Sequence, residues 1–394
     1  MKQIINSILD SDLYKFTQQW FVISHFSEVE STYKFNNRDL SKKFSKEAVE
    51  EIKRQANLMS NLKLSDPEYD WMKYNLSFLP VAYRQYLAAY RFNTSGIIYN
   101  LDNEGNLDIS LKGKWRDYIL WEVPMMAIIS EVYFVYMDTD WNMNGQDLQA
   151  ARKAMTLTNA GCHFADFGTR RRRNFETQDI VVREMKKYSG FTGTSNPYLA
   201  MKHGVKALGT CAHESIAAMA ALVSLNHPNA VFMDKWSEVY EGALGTMLPD
   251  TFGTDSCIRD MDLRRSKLWD GQRHDSGDPY QFIDKWKKHY NSFNIDTKSK
   301  TLIFSNNLNV LSAIDINEYC RGVFKCSFGI GTFFTSDFTK ASSPLEISSP
   351  MNMVIKLVNV NGIPVVKLSD DIGKSIGDKT MIDIMAYIHF NNYK

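Results

Sequence analysis

Lys206-Ala207-Leu208-Gly209-Thr210-Cys211-Ala212-His213-Glu214-Ser215-Ile216-Ala217-Ala218-Met219 reads as a strand, a turn and a helix in immediate succession. Lys206-Ala207-Leu208 suits the end of a short strand, and Ser215 to Leu222 is rich in strong helix formers. His213 therefore falls at a helix start, where unpaired N–H groups and the helix dipole favour an anion. The neighbouring carboxylate of Glu214 offers a way to hold the imidazole in one tautomer, ready to act as nucleophile or proton carrier. A turn histidine without chemistry fits the same stretch, and only its surroundings separate the two readings.

The same strand-then-helix order recurs between about residues 150 and 335. Candidate strands end at Phe167, Leu208, Met233, Leu248, His274, Ser305 and Phe328, each followed by a turn with polar residues. Such units predict a parallel α/β arrangement, and several of them without a strand-only block fit a barrel, whose strand-following loops line one face. Outside this region the pattern differs. Asp10-Ser11-Asp12 opens a helix running through Trp20, and Ala48, Ile52, Ala56 and Met59 recur at helical spacing in an amphipathic surface helix. Ile97, Tyr99 and Leu101 alternate into Asp102-Asn103-Glu104-Gly105-Asn106 and back through Leu107, Ile109 and Leu111, a hairpin. Val354 to Val358 and Pro364 to Leu368 flank Asn361-Gly362, a second hairpin. The expected organisation is a smaller α/β domain from residues 1–140 together with 340–394, and an α/β barrel over 141–339.

Composition bounds the function. Lys and Arg number 46 against 45 Asp and Glu in 394 residues, so no global field draws nucleic acid or acidic lipid, and anion binding must be local. Five cysteines without a Cys-x-x-Cys pair argue against a disulfide framework or a zinc site and for a reducing compartment. The N-terminal apolar run is too short for a signal peptide and no later run reads as a membrane span, so a cytoplasmic protein is expected, with no nucleic-acid or membrane partner.

The expected strand-following loops carry the chemistry. Asp166-Phe167-Gly168-Thr169 leads into four arginines, Arg170 to Arg173, which cannot all face one way; one or two reach a site and the rest are solvated or pair with acids. Gly193-Thr194-Ser195-Asn196 suits either a plain turn or close approach of backbone N–H groups to a ligand. Asp250-Thr251-Phe252-Gly253-Thr254-Asp255 is a further polar turn or helix cap. In Arg273-His274-Asp275-Ser276-Gly277-Asp278 two carboxylates, a hydroxyl and a glycine could hold a ribose diol, a metal-bound phosphate or a basic ring nitrogen. Ser305-Asn306-Asn307 and Gly329-Ile330-Gly331-Thr332 are phosphate cradles on the last strands, the usual phosphate corner of a barrel. This set suits phosphate-bearing sugars without naming a reaction.

Taken in order, these segments together with Asp12-Leu13-Tyr14-Lys15 resemble the nicotinate phosphoribosyltransferase family over most of the chain. The resemblance implies an irregular, incomplete α/β barrel beside a smaller α/β domain, and a homodimer with active sites at the interface. It implies transfer of phosphoribose from phosphoribosyl pyrophosphate (PRPP) to nicotinate, giving nicotinate mononucleotide and pyrophosphate in NAD salvage. ATP hydrolysis is coupled in that family through phosphorylation of the histidine matching His213, a role that suits an anion at a helix start. His213, Asp275 and Glu214 are then the catalytic candidates. The matches further imply that Phe167 and Tyr14 sandwich the pyridine ring, Tyr14 arriving from the partner. Arg170 and Arg273 hold anionic groups, Asp275 and Asp255 face ring and ribose, and Gly329, Gly331 and Thr332 take the 5′-phosphate. Asp12, Thr194, Ser276, Gly277, Ser305 and Asn306 complete the expected substrate contacts, Asn306 replacing an acid common in relatives. Magnesium is expected with the PRPP and ATP phosphates, without identified protein ligands. The same fold acting on nicotinamide is the nearest rival, and a catalytically silent nucleotide-binding scaffold is another.

Overall fold

A computed structural model describes residues 1–371 and 375–391; positions 372–374 and 392–394, which fall within the expected smaller domain, lie outside the described residues. Six strands form a parallel sheet in the middle of the chain, and an antiparallel sheet is built from the two flanking segments.

The antiparallel sheet begins with β1 (Glu30–Asn37), β2 (Ile97–Leu101) and β3 (Leu107–Lys114). Its parallel neighbour comprises β4 (Phe164–Asp166), β5 (Phe191–Thr194), β6 (Thr246–Met247), β7 (Gly271–His274), β8 (Thr301–Phe304) and β9 (Lys325–Ile330). After a two-stranded ribbon of β10 (Phe338–Thr339) and β11 (Ile347–Ser348), the chain returns to the first sheet through β12 (Met353–Val360) and β13 (Ile363–Pro364).

In the antiparallel sheet β12 lies between β13 and β1, so strands more than 300 residues apart in sequence pair directly, Phe35 opposite Ile355 and Asn36 opposite Val354. The turn between β12 and β13 forms as expected: Asn361 and Gly362 take φ of 49° and 83°, the left-handed pair a tight hairpin needs.

The parallel strands run β5-β4-β9-β8-β7-β6. First and last strands are thus side by side, as in a closing barrel, with Ala165 opposite Gly329. Beyond β5 a single bridge joins Thr194 to Ala207. Between Ala207 and β6 the described residues carry no ladder; the Cys211 thiol reaches the Thr246 carbonyl at 3.6 Å. This is the irregular, incomplete barrel, open at one seam.

Three strand expectations fail, and at the first of them, Lys206 to Leu208, only the isolated bridge of Ala207 forms. Met233 lies inside the helix Pro228–Tyr240, where Pro228 pre-sets the first helical turn and Phe232, Met233 and Trp236 pack inward. Conversely Gly193 and Thr194, expected in a turn or ligand loop, end the strand β5: Gly193 has φ of 145°, and a Cβ there would stand 2.2 Å from the Lys206 carbonyl. Glycine is required because the next chain passes that close.

Three helices position the site. α1 (Leu13–Phe26) follows Asp12, with the Leu13 amide donating to the Ser195 carbonyl at 2.7 Å, which docks the N-terminal segment on the barrel. α2 (Glu122–Tyr136) belongs to an apolar helical stretch, Trp115–Tyr136, of 22 residues that is long enough to cross a membrane. That corrects the expectation that no such run exists, but 89% of its most apolar 18-residue window is buried inside the protein, where Trp121, Ile128 and Ile129 are fully enclosed. α3 (His213–Leu222) starts at the expected histidine. All five cysteines are free thiols.

Candidate active site

The loops leaving the C-terminal ends of β4, β7, β8 and β9 open into a cavity of about 500 Å³, lined among others by Phe167, Arg170, His213, Arg273, Asp275, Ser276, Ser305, Asn306, Gly329, Gly331 and Thr332. A smaller lobe of about 70 Å³ adjoins it beside Tyr14, Glu122, Glu214 and Lys356. Expected residues from five separate loops therefore converge on one face of the barrel.

At its centre stands His213, only 12% exposed. Nδ1 lies 3.0 Å from Thr251 Oγ1, and Nε2 lies 3.1 Å from Asp275 Oδ2. Lys367 Nζ is 3.0 Å from Nε2 and donates to Asp250 Oδ2 at 2.8 Å. Burial, then the charge of Lys367, hold the imidazole below its ordinary pKa against the pull of Asp250 and Asp275, leaving the ring neutral. A neutral ring is the nucleophilic form. Asp275 is itself fixed: Arg273 donates to Oδ1 at 3.1 Å and Ser305 Oγ at 2.8 Å. Burial alone would raise its pKa, but Arg273, His213 and Lys367 outweigh it and keep the carboxyl well below the usual range. Arg273 also donates to Ser305 and Thr210, each at 2.8 Å, and its guanidinium lies 5.7 Å from the centre of the Phe167 ring.

Glu214 does not hold the imidazole. The first helical turn points it the opposite way, to Lys15 Nζ at 2.8 Å, and Lys15 also meets Glu122 at 2.5 Å, with Lys15 and Glu122 buried and Glu214 nearly so. Burial opposes charge on Lys15, yet the two carboxylates raise its pKa. The triad ties α1, α2 and α3 together, and Glu122 stands 3.9 Å from Arg170.

Four expected contacts fall outside the cavity. Thr194 is fully buried and donates to Asp166 Oδ2 at 2.7 Å, so it braces β4. Asp12 is buried behind Arg170 at 3.5 Å and accepts from Ser195 at 2.6 Å, a backing group for the arginine. Gly277 and Asp255 line a separate cleft, where the exposed Asp255 pairs with Lys285 at 2.8 Å. The acid that meets the histidine from this turn is Asp250, five residues earlier, because the short helix Thr254–Asp260 carries Asp255 outward.

The arginine run divides as expected for three members, two reaching the site and one pairing with an acid, and differently for the fourth. Arg170 and Arg171 line the cavity, while Arg172 is fully buried in a two-bond pair with Asp10 at 2.7 and 2.8 Å. Arg173 is equally buried, 3.7 Å from the centre of the Phe134 ring. The chain's own Tyr14 lines the inner lobe, 5.9 Å from the Arg170 guanidinium, where α1 docks on the barrel. At the phosphate corner, a Cβ on Gly331 would stand 2.8 Å from the Phe167 carbonyl and one on Gly329 2.4 Å from the Phe167 ring.

Sequence reasoning passed over Asp250, Thr251, Lys356, Lys367, Arg38 and Arg171. Lys356 is a single charge inside the otherwise apolar β12 and Lys367 one in the apolar segment that follows β13, and that was the available signal: such a lysine needs a reason to face inward. Burial, and then the neighbouring Lys367 and Arg170, push Lys356 down to about 8 despite the attraction of Glu122. Among the described residues six cations line the main cavity, Arg38, Arg170, Arg171, Arg273, Lys356 and Lys367, against the carboxylates Asp275 and Asp337.

His213, Asp250 and Asp275 place ligand atoms within 4.8 Å of one another. The set does not fit magnesium, since the Lys367 ammonium already contacts two of its members and magnesium favours a near-octahedral shell of oxygens and waters.

An incomplete α/β barrel with a cation-lined cavity at its strand ends, glycine-cradled on one side and histidine-centred on the other, defines an enzyme of phosphorylated sugars. Residues 162–392 match the nicotinate phosphoribosyltransferase (NAPRTase) family and residues 9–130 its N-terminal domain. The chain belongs to the nicotinate phosphoribosyltransferase family. It is 42% identical to a nicotinate phosphoribosyltransferase of Methanosarcina mazei, over 98% of both chains, and 37% identical to one of Saccharomyces cerevisiae, over 96% of this chain and 94% of that one. The solved Saccharomyces cerevisiae structure superposes with a TM-score of 0.95 at 36% identity, covering 98% of both chains. That of Porphyromonas gingivalis gives 0.93 at 34%, covering 97% of this chain and 99% of that one.

Proposed function

We propose that this chain transfers phosphoribose from PRPP to nicotinate, releasing pyrophosphate, in NAD salvage, and that ATP drives the transfer through a phosphate carried on His213. The observation that carries the reading is the single cavity in which His213, Asp275 and the glycine cradle meet six cations. PRPP and ATP are polyanions, and nicotinate adds a carboxylate.

The pyridine nitrogen displaces pyrophosphate at the anomeric carbon through a state with oxocarbenium character, so the site must orient the ring and stabilise the leaving group. Phe167 and Tyr14 supply aromatic walls, with Arg170 and Arg273 beside them to meet the carboxylate. Gly331 and Thr332 open the corner for the 5′-phosphate, and Arg38, Arg171 and Lys356 face the remaining volume, suited to the pyrophosphate. Phosphorylation of His213 adds negative charge next to Lys367 and Arg273. Magnesium is read as travelling with the substrate phosphates, and no step is derived through it.

Nicotinate is favoured over nicotinamide because Asp275, the acid an amide would need, is already engaged by Arg273 and Ser305. The homodimer with active sites at the interface is carried over from the resemblance, and the chain's own Tyr14 lines the inner lobe. Five reduced thiols support a cytosolic setting. The test is a product assay with PRPP and magnesium, offering nicotinate or nicotinamide, with and without ATP, alongside His213→Asn. Nicotinate mononucleotide from nicotinate, stimulated by ATP in the wild type alone, is expected; turnover of nicotinamide instead, or of neither, overturns the assignment.

A further inference from the structure

The hairpin of β12 and β13 brings a lysine to the one histidine in the cavity, and no expectation from the sequence assigned it a task. We propose that Lys367 is a positioning residue for His213: its ammonium fills the place between Asp250 and the imidazole that a metal ion would take, and so decides which ring nitrogen carries the proton. The inference deepens the phosphoryl-carrier reading of His213 and rests on it for its purpose, though not for its test.

A lysine ammonium has three donors and no acceptor, so at 3.0 Å from Nε2 it is satisfied only when that nitrogen presents its lone pair. The proton then sits on Nδ1, which donates to Thr251 Oγ1 at 3.0 Å. Asp275 Oδ2 also lies 3.1 Å from Nε2, but this carboxylate is anchored through its other oxygen by Arg273 and Ser305 and stays in place wherever the proton lies. Lys367 breaks the tie.

The charged groups around the ring balance without an imidazolium. Asp250 comes from the segment after β6, Arg273 and Asp275 from β7 and the loop after it, and Lys367 with Lys356 from the hairpin; Glu214, next in α3, is turned to Lys15. Asp250 Oδ1, buried and without a hydrogen-bond partner, lies 3.7 Å from Nε2. Remove Lys367 and two carboxylates face the imidazole with Arg273 and the more distant Lys356 left to oppose them, so the ring takes up a proton at Nε2. With Lys367 present, Nε2 is the nitrogen free to act: its lone pair forms the N–P bond as the P–O bond to the nucleoside diphosphate breaks, the electron pair leaving on that oxygen. The ring returns to neutrality by losing the Nδ1 proton to water, and Lys367, displaced from the nitrogen, keeps Asp250 and faces the new phosphoryl oxygens.

The experiment is a pH titration of ring-¹⁵N-histidine protein by NMR without ATP or substrates, His213 being assigned by its absence in His213→Asn. The wild type is expected as the Nδ1–H tautomer, titrating below the ordinary histidine value. In Lys367→Gln the midpoint should rise by about one unit or more, with the proton moving to Nε2. Lys367→Arg, which keeps the charge, should retain the wild-type tautomer. An Nε2–H tautomer in the wild type overturns the proposal without any variant, as does an unchanged tautomer and midpoint in folded Lys367→Gln; if that variant fails to fold, a tautomer lost in folded Lys367→Arg does the same. Transfer of label from γ-³²P-ATP to wild-type His213 is measured separately. Its absence overturns the phosphoryl-carrier reading and leaves the tautomer result standing.

Discussion

Replacing Gly329 by alanine tests whether the Phe167 ring is a wall of the nicotinate pocket. Gly329 does not have a positive φ, so alanine fits its backbone, and the perturbation is confined to one added methyl. That Cβ would stand 2.4 Å from both Cδ2 and Cε2 of Phe167. Carbon atoms pack at about 3.5–4.0 Å, so the ring must retreat by about 1 Å or more. It retreats within a crowded face, with the Arg273 guanidinium 5.7 Å from its centre. Overpacking of this kind costs about 1–3 kcal/mol. Expressed in the nicotinate complex, that is about a five- to hundredfold rise in KM for nicotinate. The assay is steady-state formation of nicotinate mononucleotide for Gly329→Ala, Phe167→Ala and the double variant. Because the methyl acts only through the ring, the double variant should be no worse than Phe167→Ala alone, a coupling that a double-mutant cycle reads directly. Additive losses, or an unchanged KM in Gly329→Ala, would refute the assignment of Phe167 to the pocket wall.

Arg172→Met leaves the Asp10 carboxylate buried and unpaired, and should lower unfolding free energy by about 3–5 kcal/mol in denaturant titration, where a loss under about 1 kcal/mol would show the pair to be dispensable. Lys356, pushed down to about 8, loses its charge as pH rises through that value, so pyrophosphate binding measured by calorimetry should weaken above it in the wild type and lose this step in Lys356→Met. Because the chain's own Tyr14 lines the inner lobe, mixing Tyr14→Ala with His213→Asn should restore no activity; recovery in the mixture would mean that the tyrosine reaches the partner's site, as the resemblance implies.

The parts of the fold carried by local chemistry were legible in the sequence. A helix starting at His213 follows from helix formers after a turn, and the Asn361-Gly362 hairpin from two residues that tolerate positive φ. What failed were positions governed by neighbours distant in sequence. Gly193 looks like turn chemistry, yet it sits in a strand because the Lys206 carbonyl passes against it. Met233 looks like a strand end, yet Pro228 begins a helix there. At the site, residue type and loop position were readable but side-chain direction was not: Glu214 adjoins His213 in sequence and points to Lys15, whereas Lys367, 154 residues away, touches the ring. Spacing along a chain does not encode which acid of Asp250-Thr251-Phe252-Gly253-Thr254-Asp255 faces inward, since the helix that follows settles it.

The insertion of β12 between β1 and β13 has a consequence for the order of assembly on the ribosome. Until Met353–Val360 emerges, β1 offers eight residues of unpaired sheet edge, a surface that invites association with other nascent chains. The same late hairpin delivers Lys356 and Lys367. Protection of that edge and arming of the cavity are therefore one event, so that a chain interrupted before the hairpin is sticky and inert together, and is marked for disposal by the very strand it lacks.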